Sequence, residues 1–256
     1  MNTVTLPFCG APPLPSDLWL RWTLDPALLA SLGLLPLLYV LACRRVPPGP
    51  DDARRNLYFW LGWGTLLVAF ISPLCALSAA LFSARVAHHV LLVAVAAPFL
   101  ALANPYRERM RLPHPGVWLF VHAAALWFWH APMPYEWALR SDALYWLMQG
   151  TLLASAILFW GSVLGDPRRA MAAPIVLLAA MMQMGLLGAL ITFAPRPLYA
   201  AHFLSSEPFG ITALADQQLA GLIMWVPGAL PYLVASLLMA AAAIRGGQGV
   251  DGPRRA

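Results

Sequence analysis

Lysine is missing altogether from this chain of 256 residues, and all 16 basic residues are arginine. Charge of either sign is scarce too: 11% of residues are charged against 61% hydrophobic, which leaves far too few polar groups to coat a soluble globule of this size. With a mean hydropathy of +0.69 the chain is expected to be a membrane protein. A formal net charge of +5 could suggest nucleic acid, but the arginines are packed into short loops between apolar stretches. That pattern is a topology signal, and no nucleic-acid partner is expected.

Cysteine is sparse as well. Cys9, Cys43 and Cys75 form no CxxC or CxxxC pair, which excludes a zinc knuckle and a thioredoxin-like motif. Cys43 falls at the inner end of a span and reads as inert. Cys9 and Cys75 both fall on the outer side and read as two unrelated free thiols, with a disulfide or a soft-metal role as alternatives. Catalytic signatures are lacking: there is no phosphate loop and no acid pair, and Gly161-Ser162 has none of the rest of a nucleophile elbow. The chain is therefore not expected to be an enzyme.

What is present is a succession of apolar spans. They run from about Pro26 to Cys43, Leu57 to Cys75, Arg85 to Ala103, Gly116 to His130, Asp142 to Leu164, Ala172 to Ala194, and Leu214 to Ile244. Each is near the length needed to cross a hydrocarbon core of about 30 Å, the first and fourth being short. The expected fold is all-α, a polytopic membrane protein forming a single bundle of seven transmembrane helices. Residues 1–25 read as an external tail without the pattern of a cleaved signal peptide. Residues 26–244 read as the bundle and 245–256 as a polar tail. One set of alternate loops and ends holds Arg44, Arg45, Arg54, Arg55, Arg107, Arg109, Arg111, Arg168, Arg169, Arg245, Arg254 and Arg255; the other holds Arg21, Arg85, Arg140 and Arg196. The asymmetry puts the C-terminus in the cytoplasm and the N-terminus outside.

Polar and soft side chains cluster on that topology. His88 and His89 open span three at the outer level, His130 closes span four there, Asp216 opens span seven, and His202 lies in the outer loop between. Deeper, His122 and Met224 sit eight residues below His130 and Asp216, about 12 Å along a helix, with Met184 at similar depth. Asp216, Ala220 and Met224 share one helix face. Gly185, Gly188, Gly221 and Gly228 would allow close helix approach, and Pro227 would leave the Ile223 carbonyl without its helical partner.

Buried His and Asp are expensive in lipid and mark function. Imidazole and carboxylate suit Cu(II), and thioether suits Cu(I). The arrangement therefore reads as a copper-accepting site open to the outer side, with His89, His130 and Asp216 as its centre, His88 and His202 in support, and Met184, Met224 and His122 beneath. Other readings stay open. The residues could be ordinary packing and an Asp in the first turn of its own helix. His89 and His130 could hold a b-type haem. A copper or proton-coupled transporter could use the same groups, although no internal repeat is present.

The segments His89-Val-Leu-Leu with Ala97-Pro98, Trp129-His130-Ala-Pro132, Met181 to Tyr199, and Asp216-Gln217-Gln-Leu-Ala-Gly221-Leu-Ile-Met224-Trp225-Val-Pro227-Gly228 resemble the CtaG-type cytochrome c oxidase assembly factors. The likeness covers spans three to seven in order. It implies a seven-span protein of the bacterial inner membrane that serves maturation of a haem-copper oxidase by serving the copper of its catalytic subunit, with that subunit or other assembly factors as partners. The matched family positions are His89, His130, Met184, Asp216 and Met224. Gln149 stands where many relatives are expected to carry a His, and Ala220 where Gly is usual.

Overall fold

The computed structural model describes residues 8–165 and 172–248, and no strand occurs among them. Arg168, Arg169, Arg254 and Arg255 of the topology argument lie outside the described residues. Eleven α-helices follow in order: α1 Pro26–Cys43, α2 Asp52–Ile71, α3 Pro73–Ala80, α4 Phe82–Val90, α5 Ala97–Ala103, α6 Pro115–His130, α7 Pro132–Arg140, α8 Asp142–Leu164, α9 Ala173–Thr192, α10 Ala213–Trp225 and α11 Leu230–Gln248. A π-helical segment, Leu91–Ala96, joins α4 to α5.

Among the described residues five units are long and apolar enough to cross a membrane: Pro26–Cys43, Phe82–Ala103, Asp142–Leu164, Ala173–Thr192 and Ala213–Arg245; α2 and α3 add a sixth when the bent pair is counted as one span. The chain is a multi-pass helical membrane protein. At 16 residues α6 is shorter, about 24 Å at helical rise.

Local chemistry sets the ends and breaks. The Asp25 carboxylate caps α1 by accepting from Leu28 N at 2.8 Å, with Pro26 behind it as first helical residue. The expected second span does not run straight to Cys75. Ser72 turns extended before Pro73, whose ring cannot continue the ladder, and α3 leaves α2 at 51°. Span seven is broken as well, because Val226 to Ala229 leave the helix; the Ile223 carbonyl is not orphaned but accepts from Gly228 N at 3.0 Å.

Two tryptophans fill gaps left by prolines. Pro36 inside α1 has no N–H for the Leu32 carbonyl, and the Trp63 indole of α2 donates to that oxygen at 2.9 Å. In the π segment the i+5 partner of Val93 is Pro98, again without an N–H, and the Trp160 indole of α8 donates to Val93 O at 2.9 Å.

The core centres on α4, of which Phe82, Ser83, Ala84, Arg85, Val86, His88 and His89 are all buried. Around it pack α3, α10 and, through the π segment, α2 and α8. α9 and α10 cross backbone to backbone: a Cβ built on Gly221 would lie 2.5 Å from Gly188 O and 2.7 Å from Thr192 N. α1 is the peripheral helix, burying only Leu28 and Leu32.

Cys9 and Cys75 are joined in a disulfide, correcting the expectation of two free thiols. The described residues before α1, 8–25, are thereby held against α3 at Cys9. The two cysteines stand 66 positions apart, and only the fold brings their Cα atoms to 5.3 Å. Cys43, at the opposite end of the bundle, is free.

Candidate functional site

The site begins with a cap. α4 has no side-chain cap of its own, and its first N–H groups are satisfied from α10. Phe82 N donates to Asp216 Oδ2 at 2.6 Å, Ser83 N to Oδ1 at 3.1 Å, and the Ser83 hydroxyl to Oδ1 as well. A carboxylate at a helix N-terminus also meets the positive end of the dipole. Asp216 is therefore not needed by its own helix, whose cap is Thr212, accepting from Ala215 N at 3.1 Å. Its neighbour Gln217 accepts from Leu198 N at 2.7 Å and donates to Ile191 O at 3.2 Å, tying the α9–α10 loop to the bundle.

About two turns along α4 from that cap, His89 meets His130 from the end of α6. His89 Nδ1 and His130 Nε2 lie 3.2 Å apart, with the rings perpendicular. His130 Nδ1–H donates to Leu126 O at 2.8 Å, which fixes its tautomer and turns the Nε2 lone pair toward His89. The His130 carbonyl in turn accepts from the Tyr199 hydroxyl at 2.6 Å, and Tyr199 stacks on Phe82, the first residue of α4, at 3.7 Å. Both histidines are buried, and His89 Nε2 has no partner among the described residues.

The other expected ligands take separate places. His88 is buried next to His89, but its ring meets Phe70 edge to face at 4.9 Å, and among the described residues no hydrogen bond of acceptable geometry reaches either nitrogen. Asp216 spends both oxygens on α4 and lies about 10 Å along that helix from His89, so the carboxylate expected beside the imidazoles is a helix cap instead. His202 is likewise withdrawn from the pair: its Nδ1–H donates to Ala80 O at 3.1 Å, and its Nε2 accepts from the Tyr135 hydroxyl at 2.6 Å. Burial pushes His202 down to about 4 and Tyr135 up to about 12, so both are neutral at ordinary pH. His122 is engaged deeper in the bundle, Nδ1 with Ser155 at 3.1 Å and Nε2 with Tyr232 at 3.4 Å. Met184 and Met224 are both buried, on the crossing helices α9 and α10. Among the described residues no three His, Cys, Asp or Glu side chains stand close enough to enclose one ion.

A family model for the cytochrome c oxidase caa3 assembly factor matches residues 37–246. The chain belongs to that family. Its role is therefore in the assembly of cytochrome c oxidase, which sets it against the oxidase or its assembly machinery and suggests a non-enzymatic task. No curated protein and no solved structure matches the chain.

Within this caa3-assembly fold, some functional positions escaped the sequence reading. Tyr199 and Tyr135, to which the sequence analysis assigns no role, each anchor a histidine. Arg85 was counted only as a loop charge, but it is fully buried in α4. Its spacing to His88 and His89, three and four residues, is the signal that puts all three on one helix face. Gln149, a departure from the family pattern, is buried on α8 beside Tyr145, with no hydrogen bond of acceptable geometry to its amide among the described residues.

Proposed function

We propose that this assembly factor accepts copper, as cargo for the oxidase, at the His89–His130 pair, and that the pair faces the extracytoplasmic side of the membrane. The single observation that carries the reading is the contact of two buried imidazoles at 3.2 Å, one of them with its lone pair aimed by a backbone hydrogen bond. Copper would take the place of the proton that His89 Nδ1 donates to His130 Nε2, with His89 shifting to its other tautomer, and two imidazole nitrogens at that spacing are a copper donor set. Asp216 positions His89 through α4 rather than binding metal, and Met184 and Met224 offer thioethers suited to Cu(I) deeper in the bundle.

Two independent features support the orientation. The Cys9–Cys75 disulfide lies at the end poor in arginine, and disulfides persist in oxidising compartments such as the periplasm. The arginine-rich loops then face the cytoplasm of a bacterial inner membrane. In this reading α6 completes a bundle of seven spans, with 1–25 outside and 245–256 in the cytoplasm. A haem between the same histidines is disfavoured, because rings already in contact leave no width for a macrocycle.

The test is copper bound by the purified full chain. About one copper per chain is expected to be held by the unaltered protein and lost in a His89→Ala/His130→Ala double variant that still elutes as a folded species. Equal copper in both ends the proposal.

A further inference from the structure

Arg85 is 0% exposed. Its guanidinium carbon lies 5.3 Å over the Tyr145 ring in a cation–π contact, and the Tyr135 and Tyr145 hydroxyls are its polar neighbours. Both phenols are already directed elsewhere, Tyr135 to His202 and Tyr145 to the sulfur of Cys9. Among the described residues no hydrogen bond of acceptable geometry reaches Arg85 Nε, Nη1 or Nη2, and no carboxylate pairs with it. Asp216, on the adjoining α10, is committed to the start of α4.

The neighbours share the condition. His88, one turn below Arg85 on α4, has the Ala69 backbone as its polar neighbour, and Gln149, one turn below Tyr145 on α8, has the Tyr145 hydroxyl, but among the described residues no hydrogen bond of acceptable geometry reaches either side chain. Gln149 also floors a groove of about 570 Å³ between α1, α2 and α8, whose rim carries Asp25 and Asp142 at the disulfide end of the bundle. Phe70, edge-on to His88, is in the groove wall. Gln149 lines the groove, whereas Arg85 and His88 lie behind its wall, His88 directly against Phe70.

Leaving an ionised group without a counter-charge in an apolar interior is strongly unfavourable, and each polar group lacking a well-formed hydrogen bond adds to the cost. Water can satisfy the hydrogen bonds but cannot offset the charge. The cluster offers a guanidinium, an amide NH₂ and an imidazole, a set in which donors dominate and the only formal charge is positive. A single enclosed cation matches a singly charged ligand; a polyphosphate would bring uncompensated charge into the core.

We infer that Arg85, His88 and Gln149 form a buried site for a small monovalent anion, a halide or a carboxylate, reached along the α1–α8 groove. This site stands apart from the copper reading, since neither Arg85 nor Gln149 is assigned to metal.

The experiment is chloride-35 NMR line broadening on the purified full chain with a copper chelator present, paired with melting curves in chloride against the bulky MES anion at equal ionic strength. Saturable broadening and a melting temperature that rises with chloride are expected. Arg85→Met should weaken chloride by at least roughly tenfold and make its melting temperature indifferent to the anion. Gln149→Leu keeps the charge and should weaken binding less, which retains a test if Arg85→Met fails to fold. His130→Ala should bind chloride as the unaltered chain does, so loss of copper cannot be mistaken for loss of the anion. Displacement by formate assigns a free anion, whereas displacement by dodecanoate but not formate assigns a carboxylate whose chain lies in the groove. Absence of saturable broadening, or broadening unchanged in both Arg85→Met and Gln149→Leu, overturns the inference.

Discussion

Asp216 holds the first turn of α4, and α4 carries His89 to His130, so one carboxylate on α10 governs the placement of a histidine about two turns away. Asp216→Ala would orphan two buried N–H groups and lower stability by about 2–4 kcal/mol, read as a drop in melting temperature. Asp216→Asn keeps acceptor oxygen and should fall between, while still binding copper at low temperature. Loss of copper from a folded Asp216→Asn protein as complete as from His130→Ala would make the carboxylate a ligand. His202 supplies a pH test. Because its value falls from an ordinary 6.5 to about 4 on folding, its stabilising effect is full above about pH 6.5 and is lost as pH falls toward 4, by at most about 3 kcal/mol. Hydrogen exchange in the α9–α10 loop, corrected for intrinsic rate, is expected to rise over that window. His202→Gln should flatten the dependence; an unchanged profile in that variant would show that another group titrates.

At the scale of elements, two contacts decide how the helices sit. A Cβ on Gly221 would fall 2.2 Å from Thr192 Oγ1 and 2.5 Å from Gly188 O, so Gly221→Ala must push α10 off α9 and should cost about 1–3 kcal/mol. Gly64 has nothing within 4 Å of such an atom, and Gly64→Ala should be neutral or stabilising. Equal melting temperatures for the two variants would remove the close crossing. The π segment gives a rescue experiment: Trp160→Phe leaves Val93 O without its donor, and adding Pro98→Ala restores a backbone N–H in position to serve it. The double variant is expected to melt above Trp160→Phe alone. Span positions were readable because long apolar runs set them; α1 and α8 match their expected limits residue for residue. The breaks after Ile71 and Trp225 and the π segment were not, since Pro73, Pro98 and Pro227 announce a disturbance without saying whether the helix bends, widens or stops. The glycine crossing was foreseen from Gly188 and Gly221, because only glycine leaves room for backbone against backbone.

For the whole molecule, the disulfide and the arginine-rich loops mark opposite ends. Intact cells treated with a membrane-impermeant maleimide should leave Cys43 unlabelled until the membrane is permeabilised. Labelling of Cys43 from outside would invert the bundle. The sequence carried the candidate site only as far as depth. His89, His130 and Asp216 share a level along the membrane normal, but level does not give azimuth, and helix packing joins the two imidazoles while turning the carboxylate to α4. Arg85 was hidden for the same reason, an arginine at a span's start being indistinguishable in sequence from a solvated loop charge. The central claim concerns what the oxidase receives. It is tested most directly by measuring haem and copper separately in the terminal oxidase of cells whose chromosomal copy carries His89→Ala/His130→Ala at normal protein level. The account expects haem to be retained and copper to be depleted; an oxidase with its full copper would contradict it.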